Sequence, residues 1–116
     1  MKHKNYAIVI GSAPYGSRHA KDALDMVLAL SAFEQSILLV FEHDGIMNLS
    51  AIKAQHSHLK TFANEWAALP QYDVNNIVVV GDKTEWEDSE CPLPVRVLDS
   101  ETAAQEIARC DIVLRF

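Results

Sequence analysis

The sequence predicts an α/β fold, in which a mainly parallel sheet of about five strands lies between helices in a single domain of three layers. Three features of the chain predict it. Short segments rich in Val, Ile and Leu recur, their apolar runs are continuous rather than alternating, and helical patterns lie between them. Continuous apolar runs are typical of strands covered on both faces, and strands that alternate with helices are typical of α/β layer folds. A chain of 116 residues fits one such domain with its own core.

Five segments are predicted as strands because Val, Ile and Leu dominate them. In chain order they are Tyr6–Ile10, Ile37–Phe41, Ile77–Val80, Val95–Leu98 and Ile112–Leu114, of which the fourth has the weakest signal.

Three helices are predicted between the strands. The first, Ser17–Phe33, has an apolar-to-small stripe at helical spacing, formed by Ala20, Ala23, Leu24, Val27, Leu28 and Ser31. The second runs from about Ile52 to Leu69, where Pro70 is expected to end it. The third is Ser100–Arg109, with Ser100 as its N-cap and with an inward face of Ala103, Ala104 and Ile107.

Charge and composition narrow the function. Ten Lys and Arg against 16 Asp and Glu give a net charge of −6, which opposes direct binding to a nucleic-acid phosphate backbone. The apolar run Ala7–Ile10 is much shorter than the core of a secretory signal, and no membrane segment is predicted, so we expect a cytoplasmic protein. In that compartment Cys91 and Cys110 are expected to be free thiols.

Neither cysteine is predicted to be a nucleophile. Cys110 ends a predicted helix, where the helix dipole is negative, and precedes Asp111. Cys91 follows a stretch whose negative charges disfavour a thiolate, namely Glu85, Glu87, Asp88 and Glu90. Because no Cys-x-x-Cys spacing is present, no metal or cofactor is predicted.

The loop after the first predicted strand has the glycine spacing of a phosphate-binding loop. Gly11 and Gly16 are five positions apart, but Ser17 and Arg18 stand where such a loop has Lys and then Ser or Thr. Backbone amides at a helix N-terminus can hold an anion alone, so an oxyanion or persulfide site is one interpretation. The favoured interpretation is a turn shaped by Pro14 and Gly16, with Ser17 as the helix cap.

A second polar cluster, His43, Asp44 and Gly45, follows the second predicted strand. Parallel α/β sheets bind ligands at the carboxyl ends of their strands, so this cluster and the Gly11 loop are expected at one edge of the sheet. A structural interpretation is favoured here too, with Gly45 at a positive φ angle and Asp44 as the cap of the next segment. Among the aromatic residues, Trp66 is predicted in the core and Trp86, in an acidic loop, at a contact with another subunit.

Several motifs in this order resemble the DsrE/DsrF family over nearly the whole chain. They are Ala13-Pro14-Tyr15-Gly16, Ala23-Leu24-Asp25, Asp44-Gly45-Ile46, Tyr72-Asp73-Val74 and the ending Asp111-Ile112-Val113-Leu114-Arg115-Phe116. The resemblance implies a small parallel-sheet fold and a heterohexamer with two copies each of three related subunits. In some bacteria such a complex passes persulfide sulfur from an upstream carrier toward 2-thiolation of the wobble uridine of certain tRNAs. In sulfur-oxidising bacteria similar complexes serve dissimilatory sulfur metabolism.

The family's catalytic subunits have a reactive cysteine just after the third main strand. Here that region is Val79-Val80-Gly81-Asp82-Lys83, without a thiol. The resemblance therefore implies a non-catalytic, DsrF-like subunit whose sister subunits supply the transferring cysteine. The candidate ligand or subunit contacts are Ser12, Tyr15, Gly16, Ser17, His43, Asp44, Gly45 and Trp86.

Three other interpretations stay open. One is a DsrF-like subunit in dissimilatory sulfur oxidation. Another is a small enzyme or sensor that binds a phosphate-bearing ligand at the helix start between Gly11 and Ser17. The third is a homo-oligomer of the same fold without sulfur chemistry.

Overall fold

Five parallel strands form the sheet in the computed structural model, which describes residues 3–49, 63–82 and 93–116. They are β1 (Asn5–Ile10), β2 (Ser36–Phe41), β3 (Ile77–Val80), β4 (Val95–Leu98) and β5 (Ile112–Arg115). Their spatial order is β4-β3-β2-β1-β5, and every pairing is parallel. All five predicted strands are confirmed, each to within one residue at either end.

Helices cover both faces of the sheet. Helix α1 is His19–Ala32, α2 is Ala63–Ala67 and α3 is Ser100–Ala108. Two short 3-10 helices are also present. One, His43–Ile46, leads into residues 47–49, which are helical, and the other, Leu69–Tyr72, precedes β3. The predicted helix from Ile52 to Leu69 lies partly outside the described residues.

The predicted ends of the third and second helices differ from the structure. Asp99, not Ser100, is the N-cap of α3, and its carboxylate accepts a hydrogen bond from the Thr102 backbone N–H at 2.7 Å. That bond holds the pKa of Asp99 below its ordinary value. The second α-helix ends at Ala67, two residues before the predicted Leu69, and Pro70 lies in the first turn of a separate 3-10 helix, where its missing N–H leaves no hydrogen bond unmade.

The core has two layers, one on each face of the sheet. On one face α1 and Trp66 pack against the alternate residues of β1 to β3, and the Trp66 ring meets Phe41 edge to face at 5.3 Å. On the other face α3 packs through Ala103 and Ile107. The predicted stripe of α1 is confirmed, with Ala20, Ala23, Leu24 and Val27 buried and Leu28 and Ser31 half-buried.

The predicted inward face of α3 is wrong at one position, because Ala104 is exposed. Its place on the helix is about a quarter turn from the line through Ala103 and Ile107. The three-layer α/β class is confirmed, as is the burial of Trp66. Among the described residues, no helix has the length and apolar character needed to cross a membrane.

Candidate functional site

Two loops lie side by side at the edge where the strands end, which we call the carboxyl edge. Residues 11–18 follow β1 and residues 42–47 follow β2, and these two strands are parallel neighbours. The Gly11 N–H donates to the carbonyl oxygen of Phe116 at 2.8 Å, and the Glu42 N–H donates to that of Ile10 at 3.0 Å. The expected placement of both loops at one edge is therefore confirmed.

Asn48 joins the two loops. Its side-chain Nδ2 donates to the backbone carbonyl of Ser12 at 3.0 Å and to that of Gly45 at 2.9 Å. Its Oδ1 accepts a hydrogen bond from Trp66 Nε1 at 3.2 Å. Asn48 is fully buried, so its amide has no access to water and depends on these three bonds.

The sequence did not single out Asn48. The one signal for it is an amide side chain in an otherwise apolar-rich run, Gly45-Ile46-Met47-Asn48-Leu49. An amide placed there has two donors and an acceptor to satisfy. Two of its three partners, Ser12 and Trp66, however, belong to segments far away in the chain.

Gly45 is needed for a different reason from the one predicted. Its φ angle is not positive, and the left-handed residue of this turn is His43, at φ 51°. A Cβ on Gly45 would overlap with the carbonyl oxygen of Ile10 and lie 2.6 Å from its carbonyl carbon. Asp44 lies inside the first turn of the 3-10 helix, whose N-cap is Glu42, so its predicted capping role is also wrong.

For the first loop, the predicted turn at Gly16 is confirmed and the predicted helix cap at Ser17 is wrong. Gly16 has a φ of 90°, which favours glycine. The N-cap of α1 is Arg18, one residue later than predicted, and it makes no side-chain cap bond. Ser17 Oγ accepts a long hydrogen bond, 3.4 Å, from the His19 backbone N–H, and Ser12 Oγ lies 3.3 Å from His19 Nδ1.

The surface of the carboxyl edge combines an apolar pair with polar groups. Tyr15 and Met47 are 50% and 38% exposed, and the Tyr15 hydroxyl lies 3.8 Å from Met47 Sδ. His43 and Asp44 beside them are exposed. Arg18 is the one Lys or Arg in the two loops, and its guanidinium lies 3.9 Å from the Asp22 carboxylate. This arrangement suits contact with a protein better than the binding of a phosphate-bearing ligand.

Cys110 lies at the opposite edge, where the strands begin, which we call the amino edge. Burial raises the pKa of its thiol, and the nearby charges of Asp111 and Glu106 raise it further. The direction of this shift agrees with the prediction that Cys110 is not an activated nucleophile. Cys91 and Trp86 lie outside the described residues, so their predicted properties stay predictions.

Two open clefts also lie at the amino edge. One, of about 240 Å³, is lined by residues that include Tyr6, Asn76 and Cys110. The other, of about 530 Å³, is lined by residues that include Glu34 and Tyr72. Within the described ranges, no group of three or more His, Cys, Asp or Glu is placed to hold a metal ion.

A family model, curated relatives and a solved structure each match nearly the whole chain. The model of the DsrE/DsrF-like family matches residues 4–116. Protein TusC of Escherichia coli O127:H6 is 27% identical over 118 aligned positions, which cover 97% of this chain and 99% of that protein. Protein TusC of Shigella flexneri serotype 5b is 26% identical with the same coverage. The crystal structure of the ychN protein from E. coli has the same fold, with a TM-score of 0.75 at 20% identity, covering 99% of this chain and 100% of that one. The chain belongs to the DsrE/DsrF-like family.

Proposed function

We propose that this protein is a non-catalytic, TusC-like subunit of a cytoplasmic sulfur-relay complex that supports 2-thiolation of the tRNA wobble uridine. Family membership and the likeness to Protein TusC over 97% of the chain support the class of function. A persulfide relay needs a thiolate to accept sulfur. One observation carries the non-catalytic role. Cys110, the one cysteine among the described residues, lies at the edge away from both loops, and the pKa of its thiol is raised.

In this proposal the carboxyl edge contacts sister subunits, one TusB-like and one TusD-like. Tyr15 and Met47 supply the exposed apolar area, and His43 and Asp44 supply the polar rim that protein interfaces have. The upstream and downstream sulfur carriers meet the complex through the sister subunits. With its net charge of −6, this chain contributes no direct contact to tRNA.

Native mass spectrometry of the chain co-expressed with TusB-like and TusD-like subunits tests the assembly. We expect a hetero-oligomer that contains all three chains in equal numbers. A chain that stays monomeric beside its sister subunits would contradict the proposal. A stable symmetric hexamer of the isolated chain would favour a homo-oligomer without sulfur chemistry.

The non-catalytic role has its own test in cells. We expect the double variant Cys91→Ser, Cys110→Ser to keep tRNA 2-thiolation close to the wild-type level, because neither thiol receives sulfur. Thiolated tRNA is measured by mass spectrometry of nucleosides. A loss as complete as that of a deletion strain, in a variant that still folds and assembles, would show that one of the two thiols takes part in transfer.

A further inference from the structure

We propose that Asn48 is a positioning residue, which sets the contact surface of the carboxyl edge by holding residues 11–18 against residues 42–47. This inference rests on the proposed function, because the surface in question is the one offered to sister subunits. Tyr15 lies on the first loop and Met47 on the second, so the pair forms one surface only while the loops keep their relative position.

The hydrogen bonds of Asn48 divide into two sets with different roles. Both Nδ2 bonds go to loop carbonyls, those of Ser12 and Gly45, one on each loop. The Oδ1 bond goes to Trp66, which is fully buried and packs on Phe41 in the core. The core thus anchors the amide through its oxygen, and the nitrogen places the loops.

The first loop depends on this anchor more than the second. Residues 11–18 form neither helix nor strand, and residues 15–18 are exposed. The second loop is held independently, because Gly45 rests against the carbonyl group of Ile10 and its N–H donates to Glu42 at 2.8 Å. Loss of the Nδ2 donors therefore releases the Tyr15 side of the surface.

Gln35 is a matched control at the amino edge. It is also a buried amide, at 7% exposure, with Oε1 accepting from the Lys4 N–H at 2.7 Å and Nε2 donating to the Phe33 carbonyl at 3.1 Å. Replacing either amide removes buried hydrogen bonds and lowers stability, three bonds for Asn48 and two for Gln35. The two replacements affect opposite edges of the sheet.

The experiment compares Asn48→Ala and Asn48→Leu with Gln35→Ala and Trp66→Phe. Asn48→Leu fills the space that the amide leaves, so a folded variant without the bridge is available if Asn48→Ala unfolds. Trp66→Phe removes the indole N–H but keeps both Nδ2 bonds. Affinity for the TusB-like and TusD-like subunits and amide hydrogen exchange of the isolated chain are measured below the melting temperature of every variant.

We expect partner affinity to fall about tenfold in both Asn48 variants, to fall less in Trp66→Phe, which loses the anchor and keeps both Nδ2 bonds, and to stay within about twofold of wild type in Gln35→Ala. Hydrogen exchange should accelerate most in residues 11–18 of the Asn48 variants and should not change there in Gln35→Ala. Equal losses of affinity in Asn48→Ala and Gln35→Ala, or unchanged exchange in residues 11–18, would overturn the inference. If wild type binds no sister subunit, the proposed function fails, and hydrogen exchange still decides whether Asn48 holds the loops.

Discussion

The amino and carboxyl edges of the sheet each contain a buried amide, and the two amides do different work. At the amino edge Gln35 bonds to Lys4 and Phe33, which directly precede β1 and follow α1. At the carboxyl edge Asn48 bonds to two loops that extend beyond the strands. The first amide joins the end of α1 to the start of β1, whereas the second positions two surface loops. A buried polar side chain therefore points to function by what it holds, and burial alone does not distinguish the two cases.

The edges also differ in the space that their turns leave for side chains. At the amino edge, Glu34 and Asp73 are left-handed at φ 58° and 62°, and both are exposed. At the carboxyl edge, Gly45 is buried with no space for a Cβ. His43, in the turn after β2, is left-handed and exposed as well, so both edges carry conformational strain. The edges differ at Gly45, which has no room for a side chain.

The largest effect is expected at Gly45. In Gly45→Ala the new Cβ would overlap with the Ile10 carbonyl, and because the Cβ position is fixed by the backbone and the carbonyl is itself backbone, no change of rotamer relieves the overlap. We expect the free energy of unfolding to fall by about 3 kcal/mol. Equilibrium denaturation in urea measures the change.

Gly81→Ala is the control, because it lies at the same edge, has no positive φ and has nothing within 4 Å of an added Cβ. Its unfolding free energy should stay within about 0.5 kcal/mol of wild type. Equal changes in the two variants would mean that Gly45 is not in close contact with Ile10.

A smaller effect separates the two edges as contact surfaces. Tyr15 and Tyr72 are 50% and 52% exposed, at the carboxyl and amino edges respectively. If only the carboxyl edge meets sister subunits, Tyr15→Ala weakens their binding about tenfold, because a half-exposed aromatic ring is a typical interface anchor. Isothermal titration calorimetry with the purified TusB-like and TusD-like subunits measures the affinity.

Tyr72→Ala removes the same side chain from the other edge and should change that affinity by less than about twofold. A reversed result, with Tyr72→Ala the more damaging, would move the contact surface to the amino edge. The 530 Å³ cleft that Tyr72 lines would then be part of the interface.

The sequence was sufficient for the parts of this fold that depend on local patterns. Continuous runs such as Ile77–Val80 predict buried strands because both of their faces are apolar, and the stripe of α1 predicts its buried side. Local patterns were ambiguous at the helix caps. Asp99 and Ser100 are both favourable N-caps, and the structure distinguishes them by the extended backbone of Asp99, at ψ 166°, and by its side-chain bond to the Thr102 N–H.

The site was predictable in its location and not in its chemistry. The rule that strands of a parallel sheet end together brings residues 11–18 and 42–47 to one edge. The reason for Gly45 lies in a contact with Ile10, 35 positions away in the sequence. The role of Asn48 depends on Ser12 and Trp66, which only the packed core brings near. Contacts between distant segments leave no periodic signal in a single sequence.

The smallest effect is expected at Glu34, a residue of the amino edge with a left-handed backbone conformation. The Gln35 N–H donates to the Leu30 carbonyl and the Glu34 N–H to that of Ser31, which is the hydrogen-bond pattern of a helix that ends on a left-handed residue. Glycine is preferred there, and a Cβ at φ 58° costs energy that Glu34→Gly would relieve. After the greater flexibility of glycine in the unfolded chain is offset, we expect a gain of about 1 kcal/mol in the free energy of unfolding. Glu34→Ala is the matched variant in urea denaturation, because it removes the same charge and keeps the Cβ. Equal stability of the two variants would show that the backbone of residue 34 is unstrained.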